Sequence, residues 1–281
     1  MRLLFVGHVS KDFNVANKKR QLMPGGGVFY GSITAAKLGV QTAVLTKCAT
    51  IDRPLFSPME EAGVHVTYVE SDTTTSIENI YTGPNPDERT SQMLSKASPF
   101  DERDLTQLEA DVIHVNPLWY GEFSEKLLPI VREKTSFLAG DAQGFLRNVD
   151  ETGAMIYRDW QKKRECLQYF DLFKVDAKEA RILTGDNDLK EACKIIHSWG
   201  ARMVIATHSD GVYLFDGTRF YESHFEGWTM EGRTGRGDTC TAAFLVALLD
   251  LKKDVGDATN FAARITSEKM RYPGPYLGKA T

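Results

Sequence analysis

Residues 234–239 read Thr-Gly-Arg-Gly-Asp-Thr, and an unbroken apolar run follows over residues 242–249. That run is long enough for about three helical turns. Gly235, Arg236, Gly237 and Asp238 therefore fall where a glycine loop becomes a helix N-terminus. Such a place presents unpaired backbone N–H groups at the positive end of the helix dipole. It suits a phosphate, or the charge that builds on a phosphoryl group in transit. Asp238 is out of place in a pure anion site, because a carboxylate repels phosphate. Beside the path of a phosphoryl group it has a use, since it can take the proton of an attacking hydroxyl. Asp also caps helices, and the local sequence leaves both readings open.

Other polar groups recur at predicted strand ends. Ser10, Lys11 and Asp12 follow an apolar strand at residues 3–8, and Asp12 is either a turn residue or an acceptor for substrate hydroxyls. Gly25, Gly26 and Gly27 open a predicted helix over residues 32–38, either as a tight turn or as a close approach of backbone to ligand. Ser76 and Asn79 lie in a polar, β-prone stretch over residues 73–81. Asp141, Gln143 and Arg147 follow the strand at 137–141, as a site or as a loop in which Arg147 pairs with Asp141. Asp176 and Glu179 read as a helix cap and first-turn acid, or as oxygen ligands near a hard cation. His208 is an incidental loop histidine, and Trp119 and Tyr120 wall a pocket or belong to the core.

Strands are predicted at 43–49, 64–70, 112–115, 172–175 and 203–206 besides those named. Helices are predicted at 54–62, 101–108, 123–134, 160–169, 189–199 and 255–270. A further helix starts after Asp176, and hairpins are predicted at 14–23 and around Asp216-Gly217. A turn-rich segment spans residues 83–88. The repeated strand–helix order implies an α/β fold with a mainly parallel sheet and helices on both faces. In such folds ligands lie beyond the C-terminal strand ends.

The 281 residues suffice for one large domain or two small ones. A net charge of −4 argues against nucleic acid as the main partner. Cys48, Cys166, Cys193 and Cys240 form no Cys-x-x-Cys pair and no zinc spacing, which points to reduced thiols in a cytoplasmic protein. No apolar run is long enough for a signal peptide or membrane helix, so no membrane partner is expected.

The run from Thr234 to Thr239, some 200 residues after Gly25-Gly26 and Leu38-Gly39, resembles the paired signatures of the ribokinase (PfkB) family of carbohydrate kinases. The resemblance covers nearly the whole chain. It implies a single ribokinase-like domain over residues 1–281, a three-layer sandwich with a mainly parallel central sheet. A small, reduced β-lid would arise from excursions near 12–24 and 73–95. It also implies ATP and Mg²⁺ as cofactors, with Asp238 as base and Gly235, Arg236 and Gly237 as the anion hole. Substrate contacts fall on Asp12, Gly25, Gly26, Ser76, Asn79, Gln143 and Arg147. Nucleotide contacts fall on Asp176, Thr207, Gly211, Thr234, Asn260 and Ala263, and the metal shell on Asp176 and Glu179.

The chain departs from the family pattern at several places. Tyr30 replaces an Asn, Asp176 replaces the Asn of an Asn-x-x-Glu motif, and His208 replaces a glycine of the nucleotide loop. Arg236 replaces an Ala. Gly232 stands where many relatives use an Asp to help hold potassium, with Glu231 one residue out of register, so a monovalent cation is left open. The Gln143 and Gly144-Phe145 segment resembles the short myo-inositol-kinase-like branch. The function so implied is phosphoryl transfer from ATP to a hydroxyl of a sugar or cyclic polyol, myo-inositol first, by a monomer or homodimer. A nucleoside kinase, with Tyr30 and Trp119 as a base clamp, and a non-catalytic sugar-binding regulator are the alternatives.

Overall fold

The computed structural model describes residues 1–16, 18–81, 89–227, 229 and 232–278. The turn-rich segment at 83–88 and Glu231 lie outside the described residues. In chain order the N-terminal half holds β1 (Arg2–Val6), β2 (Ser10–Ala16), β3 (Lys19–Gly25), α1 (Gly27–Lys37), β4 (Gln41–Cys48), α2 (Ser57–Glu61), β5 (His65–Glu70), β6 (Thr75–Tyr81) and β7 (Arg89–Ser95). Then follow β8 (Val112–Val115), α3 (Leu128–Arg132), β9 (Phe137–Asp141), α4 (Gln143–Leu146), β10 (Arg147–Val149), β11 (Met155–Tyr157), α5 (Lys163–Cys166), β12 (Leu172–Asp176), α6 (Ala177–Thr184) and α7 (Leu189–Ser198). The chain closes with β13 (Met203–Thr207), β14 (Gly211–Phe215), β15 (Phe220–His224), α8 (Arg236–Leu245) and α9 (Val255–Lys269).

Nine strands form one sheet in the order β15-β14-β13-β12-β9-β8-β1-β4-β5. Pairing is parallel throughout except at β13–β14 and β14–β15. Both faces are covered, and side-chain alternation sorts the core into two layers. Leu3 and Phe5 of β1 pack with α1, α8 and α9, whereas Leu4 and Val6 pack with α3, α6 and α7. The three-layer α/β arrangement agrees with the sequence expectation. Cys48, Cys166, Cys193 and Cys240 are free and buried. Among the described residues no helix is long and apolar enough to cross a membrane.

The two excursions meet in a second sheet, ordered β3-β2-β6-β7, in which β2 and β6 are parallel. Its strands are seven residues each. Several predicted helices contract. Residues 54–62 become a 3-10 turn and the five-residue α2, residues 123–134 yield only α3 with a 3-10 turn before it, and residues 160–169 yield α5 and another 3-10 turn. Pro58 and Pro129 stand in the first turns of α2 and α3, where proline fits because its missing N–H has no partner to lose. Residues 101–108 keep only a 3-10 turn, capped by Asp101.

The strand order reverses between β1 and β8, and the chain leaves β1 there through a buried polar knot. Glu122 is fully buried, and its two carboxylate oxygens accept the backbone N–H groups of His8 at 2.6 Å and Leu118 at 2.8 Å. Burial pushes its carboxyl up to about 8, while those N–H groups favour the ionised form. His8 in turn meets Thr75 Oγ1 and the Ser98 carbonyl, each at 3.1 Å, which ties the sheet to the start of β6. Trp119 packs edge-on against His8 and is 2% exposed, so it belongs to the core. Glu122→Gln sets an amide N–H against one of the two backbone donors. We expect it to lower unfolding stability by about 1–3 kcal/mol in urea titrations, and an unchanged midpoint would show that the knot is not structural.

Candidate active site

Asp238 lies in the first turn of α8, and α8 begins at Gly235 because that glycine takes the left-handed conformation, with φ 79°. A Cβ there would collide with the ring of Tyr30 on α1, so close approach also demands glycine. Arg236 donates its N–H to the Arg233 carbonyl at 3.0 Å and closes the turn. The expectation that all three N–H groups of residues 235–237 face an anion is corrected on this point, and those of Gly235 and Gly237 remain as candidates. Asn116, just past β8 and fully buried, donates its amide to Asp238 Oδ1 at 3.0 Å. The carboxylate thus sits at the sheet's topological switch point, oriented by a neutral donor. That arrangement is suited to accepting a proton.

Lys174 was not singled out from the sequence. It lies on β12, 6% exposed, with Nζ 3.2 Å from Asp141 and 3.4 Å from Glu179. A Cβ on Gly237 would stand 3.2 Å from that Nζ and 3.7 Å from Thr207 Oγ1. Glycine at 237 therefore lets the helix N-terminus rest directly on a buried ammonium. Burial alone would lower this amine, but Asp141 and Glu179 beside it raise it above its ordinary value. Burial and the crowding of the neighbouring carboxylates, in turn, raise the acids of Asp141 and Glu179. Asp141 pairs with Lys174 and not with Arg147.

Arg147 begins β10, and its Nε meets the Tyr157 hydroxyl at 3.1 Å. Burial would lower the guanidinium, but Tyr157, Glu179 and Asp176 raise it. Its charge is also felt at Asp12, whose carboxyl it lowers. Burial raises the Asp12 carboxyl, opposed by a 2.7 Å hydrogen bond from Ser10 and by Arg89 and Arg147. Gly25 lies opposite, where a Cβ would strike the Asp12 carboxylate, and Gly26 caps α1 at φ 101°. Gln143 donates its N–H to Asp141 at 2.9 Å.

The lid residues divide by strand phase. Asn79 pairs in register with Asn14, two residues on from Asp12, so it shares the face of Asp12. Its amide donates to Asn14 at 3.2 Å and its oxygen accepts from Ser91 at 2.7 Å. Ser76 pairs with Lys11 and so falls on the other face. It is 3% exposed, and its hydroxyl donates to the Lys11 carbonyl at 3.1 Å. The expected substrate contact at Ser76 is corrected accordingly.

Asp176 and Glu179 cap α6 reciprocally, each side chain accepting the other's backbone N–H at 2.7 Å. Glu179 is 1% exposed, and its Oε1 is buried with no hydrogen-bond partner. Among the described residues no three His, Cys, Asp or Glu side chains converge as a metal cage. The residues thus fit Mg²⁺ through its own waters, by the oxygens that the cap leaves over, and do not fit a direct cage.

Thr207 ends β13, buried, and Gly211 opens β14 where a Cβ would strike the Ser223 carbonyl. Asn260 on α9 lines a cavity of about 890 Å³ with Ser223, His224, Ser267 and Lys269. Ala263 is 1% exposed and packed in the core, which corrects its assignment to the nucleotide. The His208 ring lies tilted against Tyr213, with ring centroids 4.7 Å apart. Tyr30 is 5% exposed and Trp119 is 2% exposed, so these two rings are packed in the core rather than open to a base. Lys269, in the last turn of α9, is 2% exposed. Its Nζ donates to the Gly232 carbonyl at 2.5 Å and to that of Thr234, and lies 5.4 Å from the Tyr30 ring centroid. Burial pushes this amine down to about 8, against the pull of Asp238.

A mainly parallel sheet, a lid and a glycine turn carrying an acid at the switch point define a sugar or polyol kinase of the ribokinase type. Residues 6–280 match the model of the pfkB family of carbohydrate kinases, and the chain belongs to that family. A pyrophosphate-dependent kinase of the ribokinase family, solved with sulfate, is 53% identical, with a TM-score of 0.94 over 98% of this chain and 97% of its own. A pyrophosphate-dependent kinase in complex with a pyrophosphate analogue and myo-inositol is 52% identical, with a TM-score of 0.92 over 98% and 97%. A pyrophosphate-dependent myo-inositol-1 kinase, converted into a myo-inositol-3 kinase by exchange of one asparagine and one serine for leucine, is 51% identical, with a TM-score of 0.92 over 98% and 95%. A cytidine kinase of Thermococcus kodakarensis is 27% identical over 86% of this chain and 87% of its own. Ribokinase of Arabidopsis thaliana, at 20% identity and a TM-score of 0.78, shares the fold.

Proposed function

We propose that the protein phosphorylates myo-inositol with pyrophosphate as donor, in place of the ATP implied by the wider family pattern. The observation that carries this reading is half-identity, along nearly the whole chain, to kinases that use that donor. The site geometry supports it. Pyrophosphate has no base or ribose to bury, so its binding must come from charge and from backbone dipoles. Lys174 behind Gly237 and the N-terminus of α8 supply both.

In this reading the acceptor lies between lid and sheet. Asp12 accepts hydrogen bonds from its hydroxyls, Arg147 and Gln143 flank it, and Asn79 faces it from β6. Asp238, held by Asn116, takes the proton of the attacking hydroxyl as the phosphoryl group is received. The N–H groups of Gly235 and Gly237 stabilise the charge on the group in transit. Asp176 and Glu179 would hold Mg²⁺ through its waters, and the ion would supply positive charge for the donor phosphates. The whole chain acts as one kinase unit.

The testing experiment is a two-way panel of donors (pyrophosphate, ATP) and acceptors (myo-inositol, ribose, fructose 6-phosphate, cytidine) with Mg²⁺. Turnover is expected with pyrophosphate and myo-inositol, releasing orthophosphate. Turnover with ATP alone would overturn the donor, and turnover on cytidine alone would favour the nucleoside reading suggested by the 27% relative. Asp238→Asn should fold and bind both substrates yet lose kcat by about 10²–10⁴-fold; near-normal turnover removes Asp238 as the base.

We infer that the Asn14–Asn79–Ser91 network directs attack from the 1-hydroxyl, taking Asn79 and Ser91 as counterparts of the asparagine and serine whose exchange for leucine changes that preference in the 51% relative. Asn79→Leu with Ser91→Leu should move the product from the 1- to the 3-phosphate, read by chiral separation. An unchanged product places regioselectivity elsewhere.

A further inference from the structure

We propose that Lys269 is a built-in monovalent cation for the turn before α8, a positioning residue that fixes the amides facing the donor. The inference rests on the reading of Gly235–Gly237 as the phosphoryl-binding turn. The ammonium has an unusual surround for a lysine. Its hydrogen-bond partners are the carbonyls of Gly232 and Thr234, with the Tyr30 ring 5.4 Å away. Carbonyl oxygens and an aromatic face are the ligands that a bare alkali or ammonium ion takes. The side chain is 2% exposed, so water does not compete.

Peptide geometry converts that grip into orientation. Among the described residues every peptide is trans, so the Thr234 carbonyl and the Gly235 N–H share one plane and point in opposite directions. An ammonium that holds the carbonyl from behind aims the N–H forward and increases its donor strength. Lys269 also lies close enough to Asp238 for that carboxylate to act on its proton affinity. The grip therefore adds positive potential on the base side of the turn.

A second observation concerns position 232. A Cβ on Gly232 would collide with the Met270 backbone, so no carboxylate side chain fits there to recruit an external cation. The same backbone is stitched to the loop, since Thr229 donates its N–H and hydroxyl to the Met270 carbonyl at 2.9 and 3.0 Å, and Gly232 donates to Thr229 Oγ1 at 3.2 Å. The end of α9 thus brings Lys269 and the loop together as one unit.

The test uses the full chain in potassium-free buffer, with two readouts: turnover, and calorimetric binding of pyrophosphate, which needs no turnover. The wild type should be indifferent to potassium chloride in both. Lys269→Ala should lose at least 30-fold in kcat with the acceptor KM within threefold, and at least tenfold in pyrophosphate affinity. Ammonium or potassium chloride should restore a tenth or more of each loss, because the vacated space keeps its carbonyls. Lys269→Met, which keeps the stem but leaves no room for an ion, should show the same losses without rescue. Tenfold stimulation of the wild type by potassium overturns the proposal whether or not a variant folds, and so does a folded Lys269→Ala with unaltered kcat and pyrophosphate affinity. A wild type that turns over no donor–acceptor pair counts against the proposed reaction, and the binding arm still decides the role of Lys269.

Discussion

The buried charge of Lys174 constrains the rest of the site. An ammonium inside a parallel sheet is tolerated only with carboxylates that stay beside it, because a lone buried charge is costly in low dielectric. Its partners come from two other elements, Asp141 at the end of β9 and Glu179 in the first turn of α6. That requirement seats α6 against β12, and the reciprocal cap between Asp176 and Glu179 holds it there. It also accounts for glycine at 237 in the first turn of α8, since the lysine occupies the space beside that position. Removing either carboxylate would leave a charge imbalance directly under the helix N-terminus.

The lid follows a second constraint, the two-residue period of a strand. Asp12, Asn14, Ile77 and Asn79 are brought to one face by the parallel pairing of β2 with β6, and Lys11 and Ser76 to the other. A single step of register separates a residue that can meet substrate from one whose hydroxyl serves the lid's own backbone. The His8–Thr75 contact sets that register where the lid joins the sheet. The polar knot of Glu122 lies beneath that junction and holds the His8 backbone from which the contact is made.

Glycine signatures were legible in the sequence because close approach leaves no other residue type available. Gly25 meets Asp12, Gly235 meets Tyr30 and Gly237 meets Lys174, and each announces itself as a missing Cβ. The alternating strands and helices were equally plain, so the layer order was read correctly. What the sequence hid were partnerships across long separations. Lys269 looks like an ordinary basic residue in the last turn of a helix, and its carbonyl partners lie 35 and 37 residues earlier. Asn116 reads as a strand-end turn until α8, 122 residues on, brings Asp238 to it. β7 fell inside the lid excursion read at 73–95 but was not singled out as a strand, because Arg-Thr-Ser-Gln-Met-Leu-Ser carries little apolar alternation, and β6 gives it its strand form. Lys174 did leave a signal, a charged residue in an otherwise apolar strand.

The placement of the cations bears on catalysis as well as on affinity. A lysine set directly against a donor phosphate binds ground state and transition state alike, which raises occupancy without speeding transfer. On the proposed reading Lys269 stands behind the amides of the turn and Lys174 beneath Gly237, and what faces the phosphoryl group is a set of fixed N–H dipoles. Such dipoles need no reorganisation as charge shifts along the reaction path, and the buried cations behind them keep their direction and raise the local potential. On the same reading this arrangement keeps Asp238 available as a base. The hydrogen bond that it receives comes from the neutral amide of Asn116, while the ammonium groups of Lys174 and Lys269 act on it through space.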